Sequence, residues 1–94
     1  SKWVREINSR IKEFIIYPKI SKDRNQSGRV LIGITLLANG KILNVNLENS
    51  SGFSSLDKAA INTIKRIQSF SPAPFKSDNK IHTFILPVNY ILED

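Results

Sequence analysis

The pair Asn39-Gly40 stands between two stretches of strand-like sequence, and no other feature restricts the fold so much. Residues 29–37 (RVLIGITLL) are rich in β-branched side chains, as strands are. Residues 41–49 alternate Leu43, Val45 and Leu47 with Asn44, Asn46 and Glu48, which predicts one dry and one wet face. Asn-Gly between such runs is the strongest short-range hairpin signal, because both central positions of the tightest turn need positive φ. An isolated hairpin is marginal in water, so the rest of the chain must cover its dry face.

Two helical patterns supply that cover. Trp3, Ile7, Ile11, Phe14 and Ile15 recur on one face of a helix expected over residues 1–16, opposite Arg5, Glu6, Ser9, Arg10, Lys12 and Glu13. Pro18 disfavours helical angles at Tyr17 and should end it. Residues 17–28 then read as a Tyr-Pro pair followed by a polar, basic connector. A second helix is expected over about residues 55–68, with Leu56, Ala60, Ile64 and Ile67 inward, Ser54 as N-cap and Asp57 in the positive first turn. The Ser-Pro-Ala-Pro stretch at 71–74 forbids further helix. A last strand is expected over about residues 80–92, with Phe84, Leu86, Val88 and Tyr90 on one side and Ile81, Thr83, Ile85, Asn89 and Ile91 on the other. Gly33, inside the first strand, is expected to permit close helix packing. The order α-β-β-α-β makes an α+β domain, a two-layer fold with a three-stranded antiparallel sheet packed against two helices.

At 94 residues the chain is one domain, spanning 1–94. It lacks cysteine, which removes thiol nucleophiles, thiolate metal sites and disulfides. His82 is the single histidine and has no acidic neighbour in sequence, so an edge or surface position is expected for it rather than catalysis or metal binding. The serines at 50, 51, 54 and 55 belong to no nucleophile motif and read as turn and cap residues. No enzyme, cofactor or metal is therefore expected. The net charge of +6 is concentrated in residues 1–29, where eight bases face three acids. Such a patch attracts nucleic acid, anionic lipid or an acidic protein partner. A nucleic-acid module would need aromatics among the bases on an open sheet face, and residues 29–49 have none.

Tyr17-Pro18, the basic connector, Gly28 opening a strand, Asn39-Gly40, Ser51-Gly52-Phe53 before a helix, the proline break and a terminal strand form an ordered series. This series resembles the C-terminal domain of TonB, the energy transducer of the Gram-negative envelope, over about residues 3–92. Pro87 inside the last strand is a departure from it. The resemblance implies a non-catalytic periplasmic domain of a protein anchored in the inner membrane by a segment upstream of Ser1. It implies as partners the TonB-dependent outer-membrane transporters, gripped at their TonB box by β-strand addition, and an ExbB/ExbD-type motor complex driven by the proton-motive force. The cargo implied is iron chelates, haem, cobalamin or nickel complexes. A strand-exchanged homodimer stays open beside the monomer. The related alternative is a TolA-like envelope domain, whose family usually relies on a disulfide.

The partner-binding residues expected on this footing are Tyr17 and Pro18 at the groove border, and Lys19, Lys22 and Arg24 as attractants for acidic groups. Thr83, Ile85, Pro87, Asn89 and Ile91 complete the set along the edge of the last strand. Proline has no N–H, so Pro87 is tolerated inside a strand where that donor would face away from the neighbouring strand. If Pro87 faces the open edge, the same parity turns Thr83, Ile85, Asn89 and Ile91 outward; the alternative is a bulge at Pro87, which would reverse this phase on one side.

Overall fold

The computed structural model describes residues 2–73 and 80–92. Ser1 and Pro74, which belong to the expected first helix and the proline break, lie outside the described residues. The elements are α1 (Lys2–Phe14), α2 (Lys19–Asp23), β1 (Gly28–Leu37), β2 (Ile42–Asn49), α3 (Ser54–Ile67) and β3 (Ile81–Tyr90). The sheet is three-stranded in the order β2-β1-β3, with both pairings antiparallel. The expected α+β class holds, with the short α2 added inside the connector. Pro18 supplies the start of α2: its carbonyl accepts the N–H groups of Ser21 and Lys22, both at 3.1 Å.

Val30, Ile32, Ile34 and Leu36 alternate onto the helix side of β1 and are fully buried. Trp3, Ile7 and Ile11 of α1, Leu56, Ala60 and Ile64 of α3, and Leu86, Val88 and Tyr90 of β3 close over them. Burying a side chain of this size contributes roughly 1.5–3 kcal/mol, so this layer holds the fold together. α1 ends two residues before the expected stop, and Phe14 is left 50% exposed beyond the core.

Several local expectations are corrected. Within the hairpin turn only Gly40 has positive φ, at +93°, and Asn39 does not. Four residues, 38–41, lie between the strands, with the Gly40 N–H on the Leu37 carbonyl at 2.9 Å and the Leu37 N–H on the Lys41 carbonyl at 3.0 Å. Glycine is required there because a Cβ would sit 1.8 Å from the Phe70 carbonyl oxygen, where the chain after α3 crosses the turn. The helix cap is Phe53 and not Ser54, which is the first helical residue. Gly33 lies under no helix: a Cβ there would meet the side chains of Asn46 and Glu48, which lie across it from β2. Leu43 and Leu47 are 44% and 45% exposed, because β2 is an outer strand and α3 covers only part of it. His82 lies on the edge strand β3, in keeping with the edge position expected for it, but is half-buried rather than at the surface, edge-on to Trp3 at 5.3 Å and stacked on Phe84 at 6.4 Å.

Candidate partner-binding edge

β3 ends the sheet on one side, so one row of its backbone groups has no strand beside it among the described residues. Which residues own that row follows from two independent observations. Leu37 sends its N–H toward Lys41 on the β2 side. In-plane direction alternates along a strand, so Val30, Ile32, Ile34 and Leu36 turn theirs toward β3. Their partners across the ladder are Val88, Leu86, Phe84 and His82. Pro87 lies opposite Leu31 in a pairing with no register shift. Proline has no donor, so that pair is a non-hydrogen-bonded one. Both arguments turn the backbones of Ile81, Thr83, Ile85, Pro87 and Asn89 outward.

The side chains share this parity. Even-numbered residues of β3 point into the helix layer, whereas Thr83, Ile85 and Asn89 are exposed on the open face of the sheet, Ile85 by 59%. Thr83 faces Thr35 across the strands, with hydroxyls 3.5 Å apart. Ile91 lies one residue beyond β3 and is 72% exposed. Ile81, 62% exposed, belongs to the same row although the expected set omits it. Its parity alone was sufficient to include it. No aromatic side chain lies on the open face among the described residues, so it offers no stacking platform for bases.

Tyr17 joins the connector to one end of this edge. Its ring meets the Tyr90 ring edge to face at 5.1 Å, its hydroxyl donates to the Gln26 carbonyl, and the Lys22 ammonium lies 5.8 Å from its ring centroid. The structure thus brings Tyr17 and Lys22 together with the C-terminal end of β3, next to Asn89. Lys19 and Arg24 are exposed on and after α2, and Pro18 serves as the start of that helix. Thr83 lies toward the other end, roughly 20 Å away at strand rise.

A polar cluster fixes α2 against α3. The Ser21 hydroxyl donates to that of Ser55, and the Ser55 hydroxyl to the Gln26 side-chain carbonyl, both at 3.0 Å. Beside it the Asp57 carboxylate accepts from the Ser51 N–H at 2.9 Å, the Ser51 hydroxyl at 2.8 Å and the Ser50 hydroxyl. Burial pushes the Asp57 carboxyl up, but those three hydrogen bonds together outweigh it and hold the group below its ordinary value. Burial, and then the Asp57 charge and Tyr17, push the Tyr90 hydroxyl up to about 12. That hydroxyl is buried without a hydrogen-bond partner among the described residues. Sequence reading placed Asp57 in the first helical turn but missed that it clasps the preceding turn.

No group of three or more His, Cys, Asp or Glu residues is placed to hold a metal among the described residues. No described helix is long and apolar enough to cross a membrane.

The sequence matches the family model described as Gram-negative bacterial TonB protein C-terminal over residues 15–92. It is similar to Protein TonB of Vibrio cholerae serotype O1, 34% identical over 77 residues, which is 82% of this chain and 31% of that protein. Protein TonB of Campylobacter coli is 34% identical over 65 residues, 69% of this chain and 28% of that protein. The chain spans about a third or less of the length of these curated relatives. The fold is similar to the solution structure of the Helicobacter pylori TonB C-terminal domain, with a TM-score of 0.83 and 25% identity, covering 99% of this chain and 83% of that one. The HasB C-terminal domain matches with a TM-score of 0.59 and 27% identity, covering 96% of this chain and 70% of that one. With a family model matched over most of its length, this chain belongs to the TonB C-terminal family.

Proposed function

We propose that this domain is the gripping end of a TonB-type energy transducer, which takes the TonB box of an outer-membrane transporter as an added strand on the edge of β3. The observation that carries the reading is the terminal position of β3, with Ile85 and Asn89 turned outward on either side of Pro87. An extended peptide laid there hydrogen-bonds through its main chain, which tolerates varied side chains and suits a transducer serving several transporters. Pro87 leaves one donor out of the row, so the peptide pairs with Ile85 and Asn89 and skips a bond between them. The same gap discourages two copies from pairing edge to edge.

Each main-chain bond is worth about 0.5–1.5 kcal/mol net. A pull directed along the paired strands loads several of them at once, so a weak equilibrium complex can still transmit force. The work comes from an ExbB/ExbD-type motor in the inner membrane, the domain acts in the periplasm, and the cargo is iron chelates, haem, cobalamin or nickel complexes. The domain performs no catalysis in this role. Lys19, Lys22 and Arg24 draw acidic groups of the transporter toward Tyr17 and the Asn89 end of the edge, and Pro18 sets the angle at which they are presented. Strand exchange between two copies is a competing use of the same edge.

Calorimetric titration of a synthetic TonB-box peptide into the domain and into Asn89→Pro tests the proposal. Removing one outward donor should weaken binding by roughly 2- to 12-fold, the equivalent of one such hydrogen bond. Equal affinity for both proteins would place the peptide elsewhere.

A further inference from the structure

The helix layer carries a second concave surface that the β3 reading leaves unused. Phe14 at the end of α1 and Ile16 just beyond it are 50% and 53% exposed. Together with the end of α3 they bound a groove of about 400 Å³ lined by Arg10, Phe14, Ile16, Thr63, Arg66 and Ile67. Past Ile16 and Arg66 it continues over Pro18 and Ala59 with Lys65 on the rim. Of the residues proposed for the β3 edge, only Pro18 lines this groove.

Its floor is largely apolar around the buried Thr63, and its charged lining is wholly cationic, with Asn62 and Gln68 as neutral polar members. No carboxylate lines either part. Arg10 places its guanidinium 5.8 Å from the Phe14 ring centroid, and Arg66 donates one N–H to the Thr63 hydroxyl at 3.3 Å. A guanidinium has five donors in a planar fork, so most of the capacity of Arg66 remains for a carboxylate. Glu6 and Glu13 sit about one turn either side of Arg10 on α1, but neither lines the groove. Exposed cations beside exposed aromatic and aliphatic side chains call for the opposite pattern in a partner.

We propose that this groove docks a short acidic peptide segment carrying an apolar anchor, the anchor resting on Phe14, Ile16 and Ile67 and the carboxylates meeting Arg10, Arg66 and Lys65. The concave shape between two helices favours a peptide over a flat anionic membrane, and the apolar floor disfavours a phosphate backbone. Because the groove lies in the helix layer, occupation there leaves the edge of β3 open, so one domain can hold two protein segments at once.

The test uses the capped hexapeptide Glu-Glu-Leu-Phe-Glu-Glu titrated into the ¹⁵N-labelled domain. The controls are Gln-Gln-Leu-Phe-Gln-Gln, Glu-Glu-Ala-Ala-Glu-Glu and phosphatidylglycerol vesicles. Amide shifts should gather at Arg10, Phe14, Thr63, Arg66 and Ile67, and both control peptides should bind more weakly. The double variant Arg10→Gln, Arg66→Gln should lose affinity about tenfold while keeping its thermal midpoint, because both side chains are exposed. Shifts confined to β3 or α2, or controls that bind as well as the acidic peptide, would overturn the proposal. So would vesicle binding that depends on the two arginines without peptide binding, or groove resonances that move on dilution of the domain alone, which would assign the surface to a second copy. Loss of box-peptide binding in Asn89→Pro leaves this outcome untouched, so the two readings fail separately.

Discussion

The Tyr17 ring meets the Tyr90 ring edge to face, with centroids 5.1 Å apart and planes at 80°. One residue opens the connector that carries Lys19, Lys22 and Arg24, and the other ends β3. The contact therefore fixes the basic segment relative to the edge it is proposed to serve. Tyr17→Phe keeps the ring pair and loses only the hydroxyl's bond to Gln26, so it should cost about 1 kcal/mol in urea unfolding. Tyr17→Ala loses the ring as well and should cost about 2–4 kcal/mol.

Tyr90 sets an alkaline limit. Its folded value of about 12 lies above the ordinary 10, so the folded state holds the proton that the unfolded chain gives up first. Stability is then fully present below pH 10 and falls as pH rises from 10 toward about 12. Tyr90→Phe should flatten this limb and be neutral or slightly stabilising at pH 7, since it removes a buried hydroxyl with no partner among the described residues. Thermal midpoints measured across the alkaline range check both statements.

Asp57 sets an acid limit of the opposite sign. Its folded value lies below the ordinary 3.8, so its contribution is present above that value and is lost as pH falls through the lower folded one. Asp57→Ala releases three donors from Ser50 and Ser51 and should cost about 2–3 kcal/mol at pH 7. The gap between variant and parent should narrow in acid-unfolding curves.

Gly40→Ala forces a side chain into a positive-φ turn and against the Phe70 carbonyl. A loss of about 2–4 kcal/mol is expected in denaturant unfolding.

Neutralising Lys19, Lys22 and Arg24 together should slow association with a box peptide by up to about tenfold at low salt and flatten its salt dependence. Stopped-flow rates at several ionic strengths measure this. A change confined to the dissociation rate would contradict a steering role.

The architecture was legible because each element carries its own period. The α1 stripe, the Asn39-Gly40 punctuation and the alternation of β3 are local signals, and all three led to elements of the right type. The misjudged details depend on contacts distant in sequence. The passage of Phe70 over the turn, which leaves no room for a side chain at Gly40, is one such contact. The exposure of Leu43 and Leu47 depends on where α3 ends above an outer strand. His82 is drawn under α1 by Trp3, which no neighbouring residue announces. In the candidate site, parity along β3 was readable from Pro87, but the pairing of Tyr17 with Tyr90 was not, because 73 positions separate them.

Hydrogen exchange of the ¹⁵N-labelled domain, alone and with saturating TonB-box peptide, tests the edge of β3 most directly. The amides of Leu86 and Val88 should exchange slowly in both states, and those of Ile85 and Asn89 should exchange fast in the free domain and become slow in the complex. Ile85 and Asn89 already slow without peptide, still fast when it is bound, or protection gained only at the Asn39-Gly40 hairpin would contradict strand addition at β3.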